Sequence, residues 1–173
     1  MTDKDTENEE FNVEWGGGKV MITLSNVELM REWTGNGNSE NAILGLSSMS
    51  DLSHLSATIS LLDSNEPESC RELGKKLKEL VNLYSVDRVD KNEIPAIELM
   101  LRERYYGQGL PLIERLGAHV NRGFNILNNA KNSIEGVEDI TIFDILNEVP
   151  SLEQIFQKSV GITPIQTSID NFI

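Results

Sequence analysis

The sequence predicts a mainly α fold, a helical domain that carries a small N-terminal β-hairpin and so belongs to the α+β class. Apolar residues recur every three or four positions in the second half of the chain, which is the period of an amphipathic helix. Two β-favouring runs flank three consecutive glycines near the start. The length of 173 residues and the hydrophobic content of 39% are sufficient for one core.

Composition divides the chain into three parts. Residues 1–10 are charged and almost without apolar side chains, which predicts a disordered acidic tail. Residues 11–161 are expected to form a single, mostly helical globular domain with the N-terminal hairpin. Gly161 and Pro164 end regular structure, so residues 162–173 are expected to form a flexible C-terminal tail.

The predicted hairpin consists of FNVEW and KVMITL on either side of Gly16–Gly18, with Phe11, Val13 and Trp15 on one face. The GGGK stretch is not a phosphate-binding loop. That motif needs a further glycine and a Ser or Thr at the positions where this chain has Val13 and Val20.

Six helical segments are predicted up to residue 132. Ser25 and Glu28 form a capping box for a short helix that ends at Trp33, before Gly35. Residues 40–49 and 51–62 have weaker helical patterns. A helix from Pro67 to Tyr84 would line up Cys70, Leu73, Leu77 and Leu80. The remaining two run from Pro95 to Tyr106 and from Pro111 to Asn132, and GQGLP between them would let them fold back as a helical hairpin.

Two short helices are expected to close the domain. Thr141 can cap the IFDILNE segment, and Pro150 then interrupts the chain. Ser151 and Gln154 form another capping box before a final short helix.

Several features favour a cytoplasmic protein without a membrane partner. The N-terminus is acidic where a signal peptide would be basic and then apolar. No apolar run approaches the roughly 20 residues that cross a bilayer. The lone Cys70 cannot form an internal disulfide.

The net charge of −13 disfavours a domain that binds duplex DNA unaided. Its distribution is uneven, because residues 71–131 contain eleven basic and eight acidic residues, a balance of +3. Arg71, Lys75, Lys76 and Lys78 are the candidate DNA-facing residues for a weak contact. Ordinary solvated helix faces are the alternative interpretation, since glutamates are interleaved throughout.

No local motif predicts a catalytic residue, a metal site or a cofactor. His54 and His119 lack metal-ligand spacing and are expected to be half-buried or surface residues, and Cys70 is expected to be a core thiol. Arg102 to Tyr106, RERYY, indicates a helix end with salt links or an anion-binding corner. Asp144 and Glu148 are spaced i, i+4 on one helix and could share a metal ion, but so could any surface acidic pair, so no metal site is predicted. An enzymatic function would require residues that are distant in sequence to converge in space.

The last eight residues, QTSIDNFI, contain the most specific pattern in the chain. Gln166, Ile169 and Phe172 are three residues apart and would lie in line on a 3₁₀ turn, followed by the apolar Ile173. This pattern resembles the clamp-binding box, or PIP box, of proteins that dock on PCNA, the sliding clamp of archaeal and eukaryotic DNA replication. The usual final aromatic is replaced by Ile173.

The resemblance implies a non-enzymatic adaptor of DNA replication or repair, archaeal in origin, that docks on PCNA through Gln166, Ile169, Phe172 and Ile173. Its helical body would bind a second protein. The alternative is a helical scaffold or subunit in which Ile169 and Phe172 pack in a core.

Overall fold

The computed structural model describes residues 19–46, 48–63, 65–80, 96–108 and 111–149. Short 3₁₀ turns at Gly35–Gly37 and Ser39–Asn41 accompany seven regular elements in the described ranges, in the order β1 (Met21–Thr23), α1 (Leu24–Trp33), α2 (Met49–Leu62), β2 (Leu77–Glu79), α3 (Ala96–Arg104), α4 (Leu112–Ser133) and α5 (Ile142–Asn147). The predicted class, mainly helical with a small antiparallel sheet, is confirmed.

Strand β1 pairs antiparallel with β2, with Met21 opposite Glu79 and Thr23 opposite Leu77. The first arm of the predicted hairpin, with Phe11, Val13 and Trp15, lies outside the described residues. The sheet therefore joins the N-terminal region to a segment more than fifty positions later in the chain.

The predicted helix from Pro67 to Tyr84 is wrong over its described part. Residues 70–74 form a turn, in which Gly74 has a φ of +63°, and the chain then extends into β2. That left-handed conformation suits glycine and cannot occur inside an α-helix. The apolar spacing was misleading because Cys70 and Leu80 reach the core from a turn and from the end of a strand.

Helix α1 ends at Trp33, as predicted, but its start differs. Thr23, not Ser25, precedes the first turn, and no side chain caps it. The Thr23 N–H and hydroxyl instead donate to Asn121 Oδ1 at 3.2 and 2.8 Å, and Asn26 Nδ2 donates to the same oxygen at 2.9 Å. Asn121 of α4 thereby joins the end of β1 and the beginning of α1 to the longest helix.

Among the described elements, helices α2 and α4 make the most extensive contact. A Cβ at Gly123 would lie 1.7 Å from the Ser56 carbonyl oxygen, so the two backbones meet at van der Waals distance. Ser53 and Ser56 donate to the Met49 and Leu52 carbonyls of their own helix, which satisfies their buried hydroxyls. Small residues in α2 thus allow a close crossing without an unsatisfied polar group.

The predictions for the later helices are largely confirmed. Helices α3 and α4 begin and end within two residues of the predicted bounds, and α3 packs on both α2 and α4. Thr141 and Asp144 form a reciprocal capping box at α5. Residues 51–62 are helical, whereas only the Ser39–Asn41 turn and the first residue of α2 are helical between 40 and 49. The predicted helix after Ser151 lies outside the described part.

One connected cluster of apolar side chains forms the centre of the described domain. Trp33 of α1 packs edge-on against Phe124 of α4, with ring centroids 5.0 Å apart. The described residues include no helix that is long and apolar enough to span a bilayer.

Candidate functional site

The four candidate DNA-facing residues lie on the turn before β2 and on β2 itself. Arg71 pairs with Glu114 at 2.8 Å, and Lys78 is half-buried opposite Ile22. Lys75 and Lys76 are exposed, and neither is in an ion pair with another described residue. Of these four described residues, Lys75 and Lys76 are the two that are both exposed and outside an ion pair.

The RERYY segment ends α3 and holds the C-terminus of α2. Arg104 donates to the Leu61 and Asp63 carbonyls, both at 3.0 Å, and to Asn65 O at 3.2 Å. These carbonyls include helix-end acceptors that carry partial negative charge. Arg102 pairs with Glu98 one turn earlier, at 2.6 Å. The structure favours the helix-end interpretation of this cluster over the anion-binding corner.

The loop after α2 is fixed to α4 by two ion pairs, Arg122 with Asp63 and Arg115 with Glu66. Burial alone would raise the pKa of Asp63, but hydrogen bonds from Asn65 N–H and Arg122 outweigh it and hold that pKa below its usual value. Asp63 and Glu66 therefore attach this loop to α4 through their ion pairs.

A chain of three buried polar side chains crosses the core beneath this loop. His119 Nδ1 is 2.8 Å from Ser60 Oγ, and His119 Nε2 is 2.7 Å from Tyr105 Oη. The imidazole and the serine are fully buried. These contacts connect the last turn of α2, the end of α3 and the middle of α4. We call this set the His119 chain.

The environment of the His119 chain keeps it uncharged. Burial, reinforced by the nearby Arg104, Arg122 and Arg115 charges, lowers the pKa of His119 to about 3. Burial, followed by the Glu66 carboxylate, raises the pKa of Tyr105. A neutral imidazole has one N–H donor and one acceptor, so each ring nitrogen can be satisfied by one of the two hydroxyls.

A serine hydroxyl beside a histidine can serve as a nucleophile and its general base. In this structure neither Ser60 nor His119 has solvent contact, so a substrate would have to enter the packed core to reach them. The arrangement is instead suited to fixing three helices in one register.

The expectation that His119 is half-buried or on the surface is wrong. His119 lies three residues after Leu116 and four before Gly123, on the face of α4 that packs inward. That helical position was visible in the sequence. The hydrogen-bond partners were not, because they come from residues 59 and 14 positions away.

Two other predicted side chains have simple environments. Cys70 is buried, its thiol donates to the Gly117 carbonyl at 3.6 Å, and burial raises its pKa to about 11. It is a core thiol, as predicted. Asp144 of the acidic pair accepts from Thr141 N–H and hydroxyl at 2.8 and 2.6 Å in the capping box.

Two groups of large apolar side chains are exposed on the body. Phe143 lies on α5, Leu44 is bridged to Thr141 at its start, and Val137 lies in the loop before it. Leu62 ends α2, Leu99 lies on α3 and Tyr106 follows α3. We call the first group the α5 patch. Exposed side chains of this size in neighbouring positions are typical of protein-binding surfaces.

The clamp-binding residues Gln166, Ile169, Phe172 and Ile173 lie outside the described residues, so their environment stays a prediction. Comparison of the chain with protein-family models, with curated proteins and with solved structures finds no match.

Proposed function

We propose that this chain is a non-enzymatic adaptor of DNA replication or repair that docks on the sliding clamp PCNA through Gln166, Ile169, Phe172 and Ile173. The observation that carries the proposal is the spacing of these residues. An amide and two apolar side chains recur at three-residue intervals, and another bulky apolar residue follows at once.

The intervening residues support this assignment. Thr167, Ser168, Asp170 and Asn171 are small and polar, so a single 3₁₀ turn would present one apolar side to a pocket and a hydrophilic side to water. The glutamine amide would reach a polar pocket beside the apolar one.

The energetics suit transient recruitment. Burial of three apolar side chains contributes about 5–8 kcal/mol before any cost is subtracted. Ordering the segment on the clamp removes part of that free energy. The dissociation constant expected from the remainder is roughly micromolar.

In this proposal the helical body carries the second partner. Its exposed apolar side chains at α3 and α5 support a protein-binding role. Lys75 and Lys76 could touch DNA already threaded through the ring. Such a contact needs little intrinsic affinity, because clamp docking supplies a high effective concentration.

Substitution in the motif tests the proposal directly. We expect Phe172→Ala to abolish binding of the full-length chain to the PCNA of the source organism in a calorimetric titration. Phe156→Ala removes the same side chain from a position before the motif and should leave the affinity unchanged. Equal affinity for Phe172→Ala and wild type would contradict the proposal.

The second candidate is a helical scaffold or subunit in which the C-terminal segment packs in a core. The exposed Leu44, Phe143 and Tyr106 favour it, because subunits bury such side chains between copies or partners. Under this alternative Phe172→Ala would lower the melting temperature, since truncating a buried Phe typically costs about 3–5 kcal/mol. The same variant therefore separates the two candidates.

A further inference from the structure

The α5 patch combines large apolar side chains with a fixed backbone. Phe143 is 71% exposed and Leu44 is 69% exposed. The Ile142 N–H donates to the Leu44 carbonyl at 2.9 Å, and Leu44 forms a parallel bridge with Thr141. Leu44 and Phe143 are thus brought to neighbouring backbone positions, although they are about a hundred residues apart in sequence.

The surroundings hold these positions in place. A Cβ at Gly45 would lie 2.6 Å from Ile142 Cγ2, so the buried Ile142 packs directly on the Gly45 backbone. The capping box of Thr141 and Asp144 fixes the start of α5 one residue before Ile142. A patch that is ordered before binding loses less conformational entropy when a partner arrives.

The stretch of sequence that contains Val137 and Phe143 is acidic. Residues 132–149 contain five acidic and no basic residues. Glu135, Glu138, Asp139 and Glu148 are exposed, and none of them is in an ion pair with another described residue. Lys131, the residue just before this stretch, has its Nζ 5.8 Å from the centre of the Trp33 ring. The negative charge of the stretch that carries Val137 and Phe143 is therefore available to a partner.

We infer that the α5 patch is a docking surface for a basic amphipathic segment of a partner protein. The apolar face of such a segment would cover Leu44, Val137 and Phe143. Its Lys and Arg residues would lie against Glu135, Glu138 and Asp139, in the arrangement by which amphipathic helices bind apolar grooves with charged borders.

The charge disfavours a second copy of this chain as the occupant. Two copies that met at the patch would bring two acidic 132–149 stretches together, on a chain whose net charge is already −13. A basic partner gains from the same field. The inference rests on the proposed function only in assigning a protein partner to the body.

The test uses a labelled synthetic peptide of about 18 residues, with leucines at helical i, i+3, i+4 and i+7 positions and lysines elsewhere. Fluorescence anisotropy would measure its binding to the full-length chain at moderate salt. The double variant Leu44→Ser/Phe143→Ser should weaken binding about tenfold or more, as expected when anchor residues are lost. Leu99→Ser, at the half-exposed leucine of α3, is the matched control and should bind like wild type.

Two further controls separate docking from general attraction to an acidic chain. Glu138→Lys/Asp139→Lys should weaken peptide binding more than Glu68→Lys/Glu72→Lys, which makes the same charge change on the exposed loop before β2. A peptide with glutamate in place of lysine should not bind. Equal weakening by both pairs, binding of the glutamate peptide, or no binding of the lysine peptide to wild type would overturn the inference.

Failure of this inference is distinguishable from failure of the proposed function. Leu44→Ser/Phe143→Ser should bind PCNA like wild type, and Phe172→Ala should bind the lysine peptide like wild type. Self-association of the full-length chain that is lost in Leu44→Ser/Phe143→Ser, measured by sedimentation, would also overturn the inference, because a second copy would then occupy the patch.

Discussion

His119 has no contact with solvent, so both of its ring nitrogens depend on Ser60 and Tyr105 for hydrogen bonds. A buried polar group that loses its partner costs about 1–3 kcal/mol, whereas removing both partners together can be nearly neutral. The His119 chain therefore contributes to stability as a unit.

A double-mutant cycle should reveal that unit. Ser60→Ala and His119→Leu should each destabilise the protein, and the double variant should lose less than the sum of the two, by about 1 kcal/mol. Urea unfolding would measure the three free energies. Ser53→Ala is the matched control, because Ser53 is equally buried but donates within its own helix, so its effect should add to that of His119→Leu. Additivity in both cycles would contradict coupling through the imidazole.

Stability should also depend on pH through His119. Its folded pKa is lowered to about 3, below the usual 6.5, so only the unfolded chain binds this proton between those values. The stability that depends on a neutral His119 is fully present above pH 6.5. It is lost as the pH falls toward 3, at up to about 1.4 kcal/mol per pH unit.

We therefore expect wild type to lose more stability between pH 6.5 and 4.5 than His119→Leu does. His54 is only half-buried, and burial lowers its pKa against the opposing charge of Asp51. His54→Gln should consequently flatten the pH curve less than His119→Leu. If the denaturant midpoints of wild type and His119→Leu changed in parallel with pH, the result would contradict the claim that His119 causes this pH dependence.

Single residues differed in how far the sequence could predict them. Thr141 was predicted correctly because its capping partner, Asp144, lies three positions on in the sequence. Cys70 is a core thiol as predicted, but the helix that suggested its burial does not form, and its thiol donates to Gly117, 47 positions away. Ser25 was not predicted correctly, because Asn121, 98 positions away from Thr23, decides how the start of α1 is bound. Local patterns cannot contain a partner of that kind.

At the scale of elements, α4 was predicted accurately because its apolar repeat extends over 22 residues. The segment before β2 was mispredicted because four apolar residues at helical spacing fit a turn and a strand equally well. Gly74 was the local signal against a helix. The β1 strand partner could not be predicted from a local pattern, since it lies far away in sequence.

The crossing of α2 and α4 leads to a prediction at this scale. Glycine to alanine inside a helix normally stabilises it by about 1 kcal/mol. Gly123→Ala should instead destabilise the protein by about 1–3 kcal/mol, because the added methyl group would collide with the Ser56 carbonyl oxygen and push the helices apart.

Thermal and urea unfolding would measure this loss. Asn132→Ala, at an exposed position of the same helix, is the control for helix propensity and should be neutral or stabilising. A Gly123→Ala protein as stable as wild type would contradict the close approach of the two backbones.

For the whole molecule, composition and periodicity were sufficient to predict a mainly helical domain with a small sheet. They could not predict which side chains meet, because the His119 chain and the α5 patch are assembled by residues distant in sequence. The predicted DNA-facing cations show that residues close in sequence can have different environments in the structure. They are clustered in sequence, yet Arg71 pairs with Glu114, and Lys78 lies in the sheet.

The adaptor proposal depends on two surfaces that act separately, the C-terminal motif toward PCNA and the helical body toward another protein. If they are separate, the motif should retain its affinity without the body. An isolated peptide of residues 162–173 contains all four motif residues and is therefore the simplest probe of the central claim.

Calorimetric titration of PCNA with this peptide and with the full-length chain in parallel is the most direct test. We predict roughly micromolar binding by both, with the peptide competing for the site of the full-length chain. No heat from either ligand, under conditions in which a known PCNA ligand binds, would contradict the clamp-docking proposal.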